Sequence, residues 1–374
     1  MGIFEKVNLL SQAAQWDVCS TCLSEKLKRR RSPFGRWIYP AVMPDGRRIL
    51  LLKVLMSNVC ENDCYYCAFR RSRNYRRAGF TPEELARFFM ELREKGLVQG
   101  LFLSSGVFKD PKTAMDRMLA CVEILRTKYK FPGYIHLKVL PGADHGSIER
   151  AVRLASRVSI NIEAPSDAHL KRIAKDKDFQ KDILERMEWI RRFIEKEERR
   201  VSQTTQFVVG ASEERDRDIL KTATKLYKDF GLDRVYYSAF QPISDTPLEG
   251  KPPTPLLREH RLYQADFLLR RYGFSLEEVP FDKSGSLSLE EDPKLRWAKL
   301  HPEYFPLDPN RASEEELLRV PGIGPITAQR LVKERRRGEI RYIEDLASLG
   351  VIWKRALPFL IIKEKPREQL SFSL

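Results

Sequence analysis

Three cysteines, Cys60, Cys64 and Cys67, stand in the spacing Cys-x3-Cys-x2-Cys within Asn58-Val-Cys-Glu-Asn-Asp-Cys-Tyr-Tyr-Cys-Ala-Phe69. Thiolates hold iron–sulfur clusters, and a [4Fe–4S] cube has four irons to ligate. Three close cysteines bind three of them and leave one iron open to a small molecule. The spacing therefore points to catalysis rather than to plain electron storage. A zinc knuckle would want a fourth Cys or His nearby, and none follows within the next fifty residues. Chance clustering of buried cysteines is the other bland reading.

With Tyr66 just before the last cysteine and an apolar strand just ahead of the motif, this stretch resembles the signature of radical S-adenosylmethionine enzymes. The resemblance implies that Cys60, Cys64 and Cys67 ligate a [4Fe–4S] cluster, with Tyr66 beside the cofactor. It implies that the amine and carboxylate of S-adenosylmethionine chelate the open iron. An electron from the cluster then cleaves the sulfonium, and a 5′-deoxyadenosyl radical abstracts hydrogen from the substrate. In such a scheme the cofactor carries the chemistry while the protein supplies orientation and water exclusion.

From residue 49 to about 240, apolar strands alternate with amphipathic helices, the pattern of a parallel α/β sheet. Residues 49–56 read as the first strand, which delivers the cysteine loop. Residues 100–105, 134–140, 158–163, 204–209 and 235–240 read as the other five. Thr81-Pro-Glu-Glu84 begins a helix, with Thr as cap and Pro at the first helical position. Six βα units resemble the partial (βα)6 barrel of the radical enzymes, and in parallel barrels functional residues lie at the C-terminal strand ends.

Polar residues fall at those ends. Ser104, Ser105 and Gly106 stand where the resemblance places a glycine-rich cofactor motif. Asn161 and Glu163 alternate along the fourth strand and so share a face. The stretch Val209-Gly-Ala-Ser-Glu213 is similar to the family's motif near adenine, which makes Gly210 a cofactor candidate. Lys138 and Tyr237 are catalytic candidates by strand-end position alone.

The chain has 374 residues and a net charge of +15, and the location of that charge says more than its size. Between Lys26 and Arg77 there are 14 Lys or Arg against 3 Asp or Glu. The excess flanks the cysteine motif, in Lys28-Arg-Arg-Arg31 before it and in Arg70, Arg71, Arg73, Arg76 and Arg77 after it, interleaved with Tyr75. Such a band near a reacting centre suggests a polyanionic substrate. A solvated surface run is the bland alternative. Six cysteines, three at cluster spacing, favour a reducing cytoplasm over a disulfide framework. No secretory signal is expected, nor a membrane span, since no apolar run reaches about 18 residues. Cys19 and Cys22 read as free thiols or as auxiliary to the active site.

A second motif, Leu318-Arg-Val-Pro-Gly-Ile-Gly-Pro-Ile-Thr-Ala-Gln-Arg-Leu-Val332, ends one helix, turns the chain and begins another near Pro325. The second helix presents free N–H groups and a positive dipole end to a phosphate. This resembles the helix-hairpin-helix motif of DNA repair and DNA-uptake proteins, which implies nucleic-acid contacts at Gly322, Ile323, Gly324 and Thr327. A weaker echo at Leu346-Ala-Ser-Leu-Gly-Val351 reads as a second hairpin that has lost a glycine. With 13 basic and 11 acidic side chains in residues 301–374, phosphate capture there would rest on backbone amides more than on net charge. A protein-binding helical hairpin is the alternative.

The expected fold class is α/β: a partial (βα)6 radical-SAM barrel with a small all-α C-terminal helix-hairpin-helix domain. The expected layout is a basic extension at 1–48, the barrel at 49–242, a connector and helical extension at 243–304, paired hairpins at 305–363 and a tail at 364–374. This combination resembles the DNA modification or repair radical enzymes associated with a uracil-DNA glycosylase-like protein. That resemblance implies DNA ahead of RNA as substrate, a reductant protein and a glycosylase-like partner. Modification of transfer RNA would suit the same basic band. A DNA-binding protein with a structural or redox cluster, and a radical enzyme acting on a peptide or small metabolite, are the remaining readings.

Overall fold

The computed structural model describes residues 1–13, 38–42 and 47–362. The basic run Lys28-Arg-Arg-Arg31 and the pair Cys19 and Cys22 lie outside the described residues. The chain divides into two compact units, Met1–Glu214 with Lys221–Glu259, and Arg215–Leu220 with His260–Leu374.

The first unit is built on one curled sheet of seven strands in the order β1 to β7. These are β1 (Ile38–Val42), β2 (Arg48–Leu55), β3 (Gly100–Ser104), β4 (Tyr134–Lys138), β5 (Arg157–Ser159), β6 (Ser202–Val209) and β7 (Arg234–Ala239). β2 to β7 run parallel, each paired with the next in sequence, as the partial (βα)6 barrel requires. β1 adds an antiparallel edge that its Tyr-Pro composition does not announce. Crossovers are made by α2 (Pro82–Glu94), α3 (Pro111–Thr127), α4 (His145–Leu154), α5 (Asp167–Ile173) with α6 (Glu185–Lys196), and α7 (Asp216–Phe230), while α1 (Ile3–Ala13) precedes the sheet.

Local chemistry explains these bounds. Thr81 caps α2 with a complete capping box to Glu84, and Pro82 fills the first turn, where its missing N–H costs nothing. The strands alternate in polarity. Leu52, Val54, Leu101, Leu103, Ile135, Leu137 and Val158 are all buried on one face, where helices cover them. β5 is shorter than the expected 158–163 strand, ending at Ser159, and further on Glu163 adopts φ 66°. Its backbone is nevertheless captured by β6: the Glu163 N–H donates to the Gln206 carbonyl at 3.0 Å, and the Val208 N–H donates to the Glu163 carbonyl at 2.8 Å.

The second unit has its own core of Leu268, Phe274, Trp297, Val320, Leu331, Leu346 and Phe359, among others. Its helices are the C-terminal part of α8 (Leu256–Arg271), then α9 (Pro293–Leu300), α10 (Glu314–Leu317), α11 (Pro325–Glu334), α12 (Ile343–Ser348) and α13 (Trp353–Ala356). The hairpin segment thus shares its core with residues from 268 onward. Gly322 has φ 91°, and a Cβ there would meet the Ile352 carbonyl oxygen at 2.7 Å. The Ile352 N–H donates to the Gly322 carbonyl at 3.0 Å, so the two hairpins lock backbone to backbone. Lys294, buried, donates from Nζ to the Ile323 carbonyl at 2.5 Å and sits over the Tyr272 ring. Burial pulls its pKa down to about 7, with Asp292 opposing.

Two expectations follow. Gly322→Ala should lower the melting temperature, with a cost of roughly 1–3 kcal/mol from overpacking and left-handed strain. Gly338→Ala, where a Cβ meets nothing within 4 Å, should be near neutral in the same measurement. For Lys294 the folded pKa lies below the unfolded one, so the unfolded chain holds more protons between about pH 7 and 10. Stability should therefore rise with pH across that window. In denaturant titrations at several pH values, Lys294→Met should flatten the rise by an amount on the order of a few kcal/mol.

Candidate active site

The cysteine loop leaves the end of β2 and is tied at both ends by one side chain. Buried Asn58 donates from Nδ2 to the Arg76 carbonyl at 3.0 Å and accepts the Ala78 N–H on Oδ1 at 2.7 Å. The Gly106 N–H donates to the Ser57 carbonyl at 2.7 Å, and the Glu61 N–H to the Val107 carbonyl at 2.8 Å. A Cβ on Gly106 would fall 2.2 Å from the Val59 carbonyl oxygen and 3.1 Å from Cys60 Cβ. Only a residue without a side chain lets the strand-end turn approach the cysteine loop this closely.

Of the five arginines expected as a phosphate-facing band, Arg70, Arg73 and Arg77 are engaged within the protein. Arg70 is 7% exposed and pairs with Asp63 at 2.5 Å. That hydrogen bond, against a smaller cost of burial, holds the Asp63 carboxyl well below the usual carboxylate range. Arg77 stacks on Tyr75 at 3.9 Å and donates to the carbonyls of Arg70 and Arg71. Arg73 donates to the carbonyls of Ala68 and Ser244. A long loop without ladder bonds has carbonyls to satisfy, and these guanidinia satisfy them. Arg76 pairs with Glu5 at the surface. Arg71 is exposed, with no side-chain partner among the described residues.

Cys60, Cys64 and Cys67 line a single cavity of about 350 Å³ at the C-terminal ends of the strands. Tyr66, Ser104, Ser105, Gly106, Lys138, Asn161 and Glu163 line it too. Two candidates do not. Gly210 has φ 88°, its N–H is taken by the Glu214 carboxylate, and a Cβ there would fall 1.9 Å from Thr254 Oγ1. Its glycine is required by that turn. Tyr237 is fully buried on the opposite face of β7, its ring parallel to Phe207, and Ser238 is the residue that faces the cavity.

Sequence reading missed Lys177, Gln206, Ser238 and Gln241, which also line the cavity. Lys177 matters most. It donates to Glu163 Oε1 at 3.0 Å, with the two side chains 7% and 5% exposed. Burial opposes its charge, but Cys64 and Glu163 outweigh that and push its pKa up. Burial pushes the Cys64 thiol up to about 11 despite Lys177, and raises Cys67 and Tyr66 as well. Glu163 Oε2 is buried with no hydrogen-bond partner among the described residues.

These residues fit an iron–sulfur cluster with a bound cofactor. Three thiols ring one cavity, an ammonium stands ready to balance thiolate charge, and an orphaned carboxylate oxygen waits for a donor. Among the described residues no three His, Cys, Asp or Glu side chains gather as a site for a single metal ion.

In the second unit, Gly324 caps α11 without a side-chain bond, and Ile326 in the first turn is 67% exposed. Ile323, expected at the nucleic-acid interface, has its side chain in the hairpin core, 1% exposed, and its N–H donates to the Val320 carbonyl at 3.2 Å. Apolar contact with Val320 and Leu331 in that cluster outweighs exposure. Thr327 Oγ1 reaches toward the Gly350 carbonyl at 3.4 Å.

Lys177→Met would leave Glu163 as a buried, uncompensated carboxylate, a change worth roughly 3–5 kcal/mol. Denaturant melts of the variant should show that loss. The double variant Glu163→Gln with Lys177→Met should recover most of it.

Residues 54–226 match the family model described as Radical SAM superfamily, and residues 306–357 match that described as helix-hairpin-helix motif. The threonylcarbamoyladenosine tRNA methylthiotransferase MtaB of Thermotoga maritima is 26% identical over 238 residues, covering 60% of this chain and 52% of that protein. The chain thus spans about half the length of the curated relative it matches. Among solved structures, methylornithine synthase (PylB) matches with a TM-score of 0.47 at 16% identity, covering 72% of this chain and 76% of the other. The hydrogenase maturase HydG of Carboxydothermus hydrogenoformans matches with a TM-score of 0.45 at 20% identity, covering 59% and 51%. With its cysteine motif set at the strand ends of a six-stranded parallel half-barrel and hairpins at its C-terminus, the chain carries a radical SAM domain at residues 54–226 and a helix-hairpin-helix domain at residues 306–357.

Proposed function

We propose that this protein is a [4Fe–4S]-dependent radical S-adenosylmethionine enzyme that abstracts hydrogen from nucleic acid, with DNA the favoured polymer and modification or repair the outcome. The observation that carries the reading is the ring of Cys60, Cys64 and Cys67 around one cavity, in a chain that also bears a helix-hairpin-helix motif. When bound, the cluster and S-adenosylmethionine supply a reductively generated carbon radical. The three cysteines hold the cluster. Glu163 Oε2 and Asn161 offer acceptor and amide groups to the cofactor, with Ser104, Ser105 and Gly106 on the facing wall. Lys177 fixes Glu163. Lys138 stands on the cavity wall as the candidate substrate-side residue.

At the hairpin, the free N–H groups of the first turn of α11 suit a phosphate. A base in duplex DNA would have to leave the stack to reach a cavity inside a barrel. A reductant protein would deliver the electron, and a uracil-DNA glycosylase-like partner suits a repair role. Transfer RNA is the second reading, favoured by the likeness to a protein named as a tRNA methylthiotransferase.

The test is anaerobic reconstitution with iron and sulfide, then reduction with dithionite in the presence of S-adenosylmethionine. 5′-Deoxyadenosine is then assayed with duplex DNA, single-stranded DNA or transfer RNA. Stimulation by DNA supports the first reading, and stimulation by transfer RNA alone moves the substrate to RNA. No 5′-deoxyadenosine from a fully loaded cluster rejects the enzyme. Gly324→Ala should weaken polymer binding about tenfold at fixed salt while leaving the melting temperature within a degree or two, since its φ of −103° is open to any residue.

A further inference from the structure

We propose that Gln206 reads the edge of an uncharged base held in the β6–β7 half of the cysteine cavity. The base, rather than the sugar-phosphate, is then the part of the substrate that enters. This rests on the nucleic-acid reading above and gives the moiety that the cavity recognises.

The cavity is divided by chemistry. Among the described residues, the charged side chains that line it are Lys138 from β4 and the pair Glu163 and Lys177, joined at 3.0 Å. β6, β7 and the segment after β7 line the rest with no charged side chain. Val208, Phe240, Ile243 and Leu256 supply an apolar wall, and Leu256 stands 56% exposed at the start of α8. Gln206, Ser238 and Gln241 are the polar members of this half.

Position and an uncommitted amide single out Gln206. Alternation along β6 turns Gln206 and Val208 into the cavity, while Phe207 and Val209 are buried on the other face. The Gln206 carbonyl accepts the Glu163 N–H at 3.0 Å, which ties it to the residue assigned to the cofactor. Its half-buried side chain makes no hydrogen bond among the described residues. Gln241 differs, since its Nε2 donates to the Thr254 carbonyl at 3.3 Å.

These features narrow the occupant. A phosphate or carboxylate set against this wall would trade water for hydrocarbon and neutral amides, at the cost of burying a charge. An aliphatic group would bury the Gln206 amide without a partner. A nucleobase meets both demands, because its faces pack on apolar side chains while its edge offers a donor beside an acceptor. A carboxamide presents the same two groups in one plane and pairs with such an edge through both. Bases that have left the stack are read in this way, by edge hydrogen bonds and packing on apolar side chains.

The full chain is reconstituted anaerobically with iron and sulfide, left unreduced, and saturated with S-adenosylhomocysteine, so that the cofactor's own adenosine is already accommodated. Binding of the four deoxynucleosides and of 2-deoxyribose is then measured by saturation-transfer NMR. At least one nucleoside should bind about tenfold or more tightly than 2-deoxyribose. Gln206→Met should remove that advantage, with affinity for S-adenosylhomocysteine kept within about twofold. Equal losses of nucleoside and S-adenosylhomocysteine affinity would assign the amide to the cofactor and overturn the proposal. Nucleosides that bind no better than 2-deoxyribose would overturn it too.

The edge is also tested from the ligand, which answers for a variant that fails to fold. In the unaltered protein, the nucleoside that binds should lose about tenfold when its base-pairing edge is methylated, as in 3-methylthymidine for thymidine. Equal binding of the blocked and unblocked forms sinks the proposal. A cavity that selects bases in a chain that no polymer stimulates upholds Gln206 and moves the substrate to a free nucleoside. Stimulation by a polymer with no base selectivity in the cavity keeps the nucleic-acid reading and rejects the role of Gln206.

Discussion

The active site depends on a side chain that is absent. Gly106 lets the turn after β3 approach the Val59 carbonyl within a distance no Cβ could share. From that approach come the hydrogen bonds of the Gly106 N–H to Ser57 and the Glu61 N–H to Val107, which seat the cysteine loop on the strand ends. Asn58 closes the other side. Cys60, Cys64 and Cys67 are thus placed by backbone contacts rather than by core packing. This suits a loop whose thiols must face a cavity. The arginines that follow serve the same end, donating to loop carbonyls that no strand or helix satisfies.

Charge in the cavity is arranged by one pair. Lys177 and Glu163 are both nearly inaccessible, and burying either charge without the other is costly. Together they place an ammonium beside Cys64 and leave one carboxylate oxygen uncommitted. A buried ion pair is weak evidence for stability, because apolar residues of similar volume often serve as well. Its retention in a cavity wall is better explained by what it offers a ligand. The left-handed backbone at Glu163 supports this, since strain of that kind in a residue other than glycine persists where surrounding structure demands it.

Much of this was legible in the sequence, and the failures share a cause. The cysteine spacing, the six parallel strands and the Thr81 cap were all readable because each depends on residues close together in the chain. Alternation placed Asn161 and Glu163 on the cavity, yet the strand ends at Ser159, so the shared face arises from a bridge to β6 instead. Strand-end position alone chose Tyr237, and it does not tell which of two neighbours faces inward: Tyr237 is buried on the other face and Ser238 lines the cavity. Lys177 carried no signal because its partner lies fourteen positions earlier across a helix and a turn. Arg70 and Arg77 misled because composition reports charge but not its partner.

The two hairpins show how to separate glycine kept for conformation from glycine kept for access. Gly322 and Gly350 have φ near 90°, so both need a residue tolerant of the left-handed region, and both retain it. The next matched pair differs. Gly324 and Ile352 both have negative φ, open to any residue. At 352 a large side chain is accepted and stands 58% exposed, while its N–H secures the Gly322 carbonyl. At 324 a Cβ would meet only the Tyr272 hydroxyl, at 3.4 Å. Neither conformation nor packing within the unit explains that glycine. At the matching position of the second hairpin stands an exposed isoleucine. The second hairpin braces the first, through the Ile352 N–H on the Gly322 carbonyl.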